Sequence, residues 1–284
     1  MSSIISVVIP TYNSALVIED CIKSVLMQIP SPQDIVVCDG GSQDQTLELA
    51  RRLKVNVLQT QANRSLQRNL GALAAKNDFI LFLDSDMRLS STVLSECEQL
   101  MKEEVAGVCF PEKDVGLTFW CRVKGFERSF YENVWWLEAA RCFRRSDFIF
   151  ETGFNVELIS TEDWDLDERM KKYGKIVRGK SYIYHEERFS SVNGFIHKKR
   201  GYSSNFKLFS QLHPERARLC FSVVKRLCLF FKKPFRILLH PILSICLVYL
   251  GIKEFMLVNK SSGTAHFSGM EKPLDASFNP LKVK

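Results

Sequence analysis

The sequence predicts an α/β fold, a mostly parallel sheet with helices on both faces. Three observations predict it. Short apolar segments alternate with segments of helical periodicity through the first hundred residues. Each short segment is apolar almost throughout, as in strands buried on both faces. Polar clusters, PTYN (10–13), DGGSQD (39–44) and DSD (84–86), directly follow three of these segments. In an open parallel sheet ligands bind at the carboxyl ends of the strands, so the three clusters are expected to converge on one edge.

The elements follow in order. Residues 4–9 are an apolar, β-branched run stopped by Pro10. Ile18, Cys21, Ile22 and Val25 then recur at i, i+3, i+4 and i+7, one face of a helix. Residues 34–39 read as a second strand, and 44–54 as a second helix with Leu47, Ala50 and Leu53 inward. A third strand (55–58), a third helix (65–76), a fourth strand (79–84) and a helix near 91–104 complete the alternation. Residues 119–136 are dense in aromatics, including Trp135 and Trp136, and read as core more readily than as a ligand platform. Residues 139–148 read as a strand, 160–174 as a helix stopped by Gly174, and 175–187 as a strand carrying His185 near its end.

Composition narrows the function classes. With 284 residues, 46% hydrophobic and 25% charged, the chain can bury a sizeable core. The net charge of +7 is concentrated: residues 196–236 hold eleven Lys/Arg against the single acid Glu215. Such asymmetry fits either a phosphate-bearing or anionic membrane partner, with no nucleic acid expected, or a solvated basic face. Sixteen uncharged residues lie between Arg236 and Lys253, short of the ~20 that a straight spanning helix needs. Residues 196–260 are therefore expected to form amphipathic and apolar helices lying on a membrane, with a short re-entrant or spanning stretch or a buried hairpin as alternatives. Residues 261–284 read as a polar tail, leaving 1–195 as the α/β domain. The nine cysteines are odd in number and contain no C-x-x-C, so reduced core residues are expected. The N-terminus has no basic run and breaks at Pro10, unlike a signal peptide.

The carboxylates carry the chemistry. Asp84 and Asp86, at i and i+2 on an extended segment, point the same way and repel unless a cation lies between them. Hard oxygen ligands there suit Mg²⁺ or Mn²⁺ carrying a diphosphate; the alternative is a loop that simply begins with turn residues. Asp39 ends a buried strand, where a carboxylate could accept a hydrogen bond from a base N–H, and Tyr12 could lie against a flat ring. Residues 160–168 make an orderly helix start, but five acids among residues 162–168 exceed what capping requires.

Taken in order, VVIPTYN, VVCDGGSQDQT, NRSLQRNLGA, ILFLDSDMRL and TEDWDLDERMKKYG resemble the family 2 glycosyltransferases over roughly residues 4 to 190. The resemblance implies the GT-A fold, which is Rossmann-like, and an inverting transfer from a nucleotide-diphosphate sugar, with uridine the favoured base. It places Thr11, Tyr12 and Asp39 on the nucleobase, with Pro10 and Ser85 beside them in the donor site. Arg68 falls on the base or diphosphate, Asp84 on the ribose, and Asp86 and His185 on Mn²⁺ or Mg²⁺. Asp163 matches the general base and Glu162 supports the acceptor site. The chain departs from the pattern at Ala139-Ala140 and Thr152-Gly153-Phe154, and lacks the Q-x-x-R-W of processive relatives, so a single addition is expected. A lipid-linked acceptor at the cytoplasmic face of a membrane fits the basic segment. Two rivals are weaker. A sugar-phosphate nucleotidyltransferase needs a glycine-rich loop that PTYNSA lacks, and a non-catalytic nucleotide-sugar-binding subunit would not need both Asp86 and Asp163.

Overall fold

The structure is a computed structural model that describes residues 3–188, 191–192 and 206–261, without the side chains of 254–261. Seven strands form the main sheet in the order β3 (Asn56–Gln59), β2 (Ile35–Asp39), β1 (Ile5–Thr11), β4 (Phe79–Phe82), β8 (Ala140–Arg144), β6 (Val105–Cys109) and β9 (Lys175–Arg178). Only β8 runs against the others. The predicted α/β class is thus what the chain adopts.

Period-two alternation divides β1 between two cores. Val7 and Ile9 face α1 (Ile18–Leu26) and α4 (Val93–Leu100), while Val8 faces α3 (Arg64–Ala74), α6 (Arg145–Phe150) and α7 (Glu162–Met170). The chain runs outward from β1 through α1, β2, α2 (Thr46–Arg52) and β3. It then returns through α3 to place β4 on the other side of β1. That reversal opens a crevice between the ends of β1 and β4, where PTYN and DSD lie.

Gly71 lets α3 settle directly on the sheet. A Cβ there would stand 2.3 Å from Val8 Cγ1 and 2.8 Å from Cys38 Sγ. Gly71→Ala should therefore lower stability by about 1–3 kcal/mol through overpacking, although alanine ordinarily favours a helix by about 1 kcal/mol. Thermal denaturation decides the matter, since a raised midpoint would mean the contact relaxes freely.

Two strand expectations need correction. The run 139–148 leaves the sheet at Arg145, whose guanidinium bonds the carbonyls of Ala72 and Leu73, and continues as α6. The run 175–187 splits, because the Glu96 carboxylate accepts the N–H groups of Lys180 and Ser181 and turns the chain. Its second part, β10 (Ile183–Glu186), lies between β5 (Met87–Leu89) and β7 (Glu112–Val115) in a separate three-stranded sheet. The helix expected to stop at Gly174 does so after a 3-10 turn, with that glycine at φ 147. All nine cysteines are free and seven are buried, with Cys228 exposed and Cys246 partly so.

The C-terminal helices are α8 (Phe206–Leu212), α9 (Pro214–Cys220), α10 (Val223–Phe231), α11 (Pro234–Leu239) and α12 (Pro241–Ser261). The boundary expected at residue 195 and nearly all of the tail expected at 261–284 lie outside the described residues. Here α8 and α9 dock on α7. Buried Arg216 donates to Glu138 O (2.9 Å) and pairs with Glu168 (3.1 Å) and Asp167 (3.4 Å), while His213 Nε2 lies 2.8 Å from Asp165 Oδ1. Phe209 and Phe221 pack around Trp164. Part of the basic run is thus structural. Lys233 and Arg236 also donate inward, to Ser129 O on α5 (Phe119–Tyr131).

Helices α10–α12 cover the aromatic side of α5, with Phe230 on Phe130 and His240 on Phe126. Their outer side leaves Phe231, Phe235, Leu238, Leu239, Ile242, Ile245 and Val248 at 63–77% exposed. No helix among the described residues is long and apolar enough to cross a membrane. Pro241 interrupts the uncharged run between Arg236 and Lys253 at the start of α12.

Candidate active site

A cleft of about 1050 Å³ opens at the carboxyl ends of β1 and β4. Pro10, Thr11 and Tyr12 line it from the end of β1, with Tyr12 half exposed. The buried Thr11 Oγ1 has no hydrogen-bond partner among the described residues. Ser85 also lines the cleft, its hydroxyl 2.9 Å from that of Ser14, which ties the two strand ends together. Asp39 does not line it. That carboxylate is wholly buried at the end of β2 and accepts the N–H groups of Gly41 (3.0 Å) and Ser42 (2.9 Å) and the Ser42 hydroxyl (2.5 Å).

Arg68 stands at the centre of the site, wholly buried and behind the cleft wall. Its Nη2 donates to Asp84 Oδ1 at 2.5 Å and its Nη1 to Asp163 Oδ1 at 2.9 Å, with Glu162 Oε1 3.5 Å from Nη1. One planar guanidinium from α3 therefore fixes the end of β4 to the first turn of α7. Asp84 and Asp163 both line the cleft. Burial alone would raise the Asp84 carboxyl, but Arg68, Arg141 and Arg64 together hold it well below the usual carboxylate range. Glu162 is buried behind the wall against Arg64 (2.5 Å), and burial pushes its carboxyl up despite that partner. An acidic first turn suits α7, whose N-terminus carries partial positive charge. Ser160 (φ 72) and Asn13 (φ 47) line the cleft in the left-handed region, a local strain of the kind often found at ligand sites.

The second metal candidate comes from the small sheet. His185 Nε2 on β10 lies 3.3 Å from Asp86 Oδ2, and both residues line the cleft. Burial opposes a charge on His185, yet hydrogen bonds that it donates to Asp114 and Asp86 raise its pKa to about 10. A divalent cation with bonds of about 2.1 Å holds adjacent ligands about 3 Å apart, so the spacing of Asp86 and His185 is one that could hold Mn²⁺ or Mg²⁺, with the imidazole neutral. Asp114, His185 and Glu187 also offer ligand atoms within 4.8 Å of one another. That side already holds a positive charge, because Arg128 Nη2 lies 3.4 Å from His185 Nδ1 and Arg128 Nε 2.9 Å from Asp114. The residues lining the cleft include nine carboxylates and six Lys/Arg. A diphosphate entering such a cleft needs a cation beside it.

Four site residues escaped the sequence reading: Glu112, Asp114, Arg128 and Arg141. Arg141 Nη2 donates to Glu112 at 2.6 Å, and Arg128 pairs with both Glu112 and Asp114. Arg68, Asp84, Arg141, Glu112, Arg128, Asp114, His185 and Asp86 thus form one continuous chain of charged contacts from the first sheet to the second. The acids were legible as the i, i+2 pair in EKDV, the same spacing as DSD. The arginines gave no such signal.

The family described as Glycosyl transferase family 2 matches residues 6–155. The GalNAc(5)-diNAcBac-PP-undecaprenol beta-1,3-glucosyltransferase of Campylobacter jejuni is 30% identical over 135 residues, 44% of each chain. The chain spans less than half the length of the curated relatives it matches, among them GlyG of Streptococcus pneumoniae at 38%. Two solved structures share the fold. A mannosyltransferase from Pyrobaculum calidifontis in complex with GDP-Man and Mn²⁺ has a TM-score of 0.56 at 14% identity, covering 90% of this chain and 88% of that one. Staphylococcus aureus TarS 1-349 in complex with UDP-GlcNAc has a TM-score of 0.53 at 21% identity, covering 78% of this chain and 74% of that one.

Proposed function

The chain belongs to glycosyl transferase family 2, and from that premise we propose that it moves a hexose from a nucleotide-diphosphate sugar to a lipid-linked acceptor, with inversion. The observation that carries this reading is the meeting of Asp86–His185 and Asp163 in one cleft, joined through Asp84 and Arg68. The base and ribose lie along Pro10, Thr11, Tyr12 and Ser85, with Asp39 supporting the turn behind them. Asp86 and His185 hold Mn²⁺ or Mg²⁺. When bound, the cation neutralises charge that builds on the departing diphosphate.

Asp163 serves as general base. It accepts the proton of the acceptor hydroxyl as that oxygen bonds to the anomeric carbon, while the bond from that carbon to the diphosphate breaks and its electron pair leaves with the diphosphate. Attack from the Asp163 side, opposite the leaving group, inverts the anomeric centre. Buried Glu162, paired with the more exposed Arg64, helps fix the start of α7. Thermal stabilisation and hydrolysis across a panel of UDP- and GDP-sugars, with and without Mn²⁺, test the donor. Stabilisation by none of them would end the reading.

The exposed apolar side of α10–α12, edged by Lys225 and Lys232, suits an anionic membrane surface at which a lipid-linked acceptor is presented. The Campylobacter relative, named for an undecaprenol-linked acceptor, supports the same reading. The protein is expected to float with anionic liposomes at low salt and less at high salt. Replacing Phe231, Phe235 and Leu239 together with Ser should abolish flotation without altering nucleotide affinity, because none of them supports the cleft. No flotation of the unaltered protein at either salt would remove the membrane from the proposal.

A further inference from the structure

We propose that Arg141 is a catalytic residue whose guanidinium binds the diphosphate oxygens next to the breaking bond. The assignment rests on the donor reading above. Arg68, expected from the resemblance to reach the diphosphate, is sealed behind the cleft wall, and its terminal nitrogens meet Asp84, Asp163 and Glu162. It organises the site without facing a ligand.

Arg141 does line the cleft, one of its six Lys/Arg, and it approaches Asp84 directly. It lies on β8, with its side chain 11% exposed. Its Nε and Nη2 donate to the same Glu112 oxygen, at 2.8 and 2.6 Å, which fixes the plane of the group. Nη1 is left with a 3.5 Å approach to Asp84 Oδ2, too long for a strong hydrogen bond. A guanidinium has five N–H donors, and those on Nη1 remain available to a ligand beside Asp84.

The surroundings orient this charge without cancelling it. Glu112 is shared with Arg128, and Asp84 with Arg68. Arg141 also sits close enough to Asp163 to feel its charge. It thus approaches Asp84 directly and lies within range of the Asp163 charge, in the cleft that both acids line. A guanidinium stays protonated throughout catalysis, and the two N–H groups of Nη1 can donate to phosphate oxygens.

The test compares nucleotides that differ by one phosphate. Arg141→Gln should weaken UDP binding by about ten- to a hundredfold while leaving UMP within about twofold, and should lower single-turnover transfer further. If the unaltered protein prefers guanine, GDP and GMP replace this pair. Arg141→Lys should recover part of both losses, which a purely structural role would not produce. Should Arg141→Gln fail to fold because Glu112 loses its partner, the double variant with Glu112→Gln removes that buried charge and carries the same comparison. Equal losses for di- and monophosphate, or none for either, would overturn the assignment. If the unaltered protein binds neither UDP nor GDP, the donor reading itself fails.

Discussion

Asp163→Asn is expected to leave nucleotide-sugar affinity within a few fold and to lower turnover by about 10²-fold or more, the usual order for a lost general base. The substitution is nearly isosteric. An asparagine oxygen can still accept from Arg68 Nη1, so the 2.9 Å contact that holds α7 to β4 survives as a neutral hydrogen bond. What disappears is the carboxylate able to accept the acceptor's proton. Steady-state transfer and calorimetric binding, measured on one preparation, separate the two effects. Near-normal turnover would remove Asp163 from the chemistry. Glu162 would then be a poor substitute, being 1% exposed and walled off from the cleft.

Asp86→Ala should abolish the enhancement of UDP binding by Mn²⁺. Loss of a group that merely supports a metal ligand costs about 10–100-fold in affinity, so loss of a ligand itself should cost at least as much. The fold should survive, because Asp86 is partly exposed and its side chain contacts His185 Nε2 at the rim of the cleft. Calorimetry of UDP with and without Mn²⁺ reads the result. Unchanged metal dependence would move the cation to the other side of the imidazole, to Asp114 and Glu187.

The first hundred residues were readable because local pattern and tertiary role coincide there. An apolar run such as 79–82 can only be buried, and the polar residues after it fall at the strand end by continuity of the chain. Beyond residue 105 the two diverge. Strand β8 was legible as a strand, but its antiparallel pairing with β4 and β6, strands distant in sequence, leaves no local signature. The small sheet gathers segments from residues 87–89, 112–115 and 183–186, too short for periodicity to register. The candidate site was legible wherever acids stood in close spacing. Arg141 and Arg128 were not, since a lone arginine in a basic chain gives no pattern. Arg68 came from the resemblance, and its burial could not have been read from its neighbours.

That burial also bears on how such a site can change by mutation. Arg68 serves Asp84 and Asp163 with the two arms of one group, so substitutions at these positions share a partner and their effects will not add. Losing either acid leaves a buried cation half-matched and alters the cost of losing the other. A change at one of these positions is thereby constrained by the other, and the end of β4 and the first turn of α7 can be altered only together.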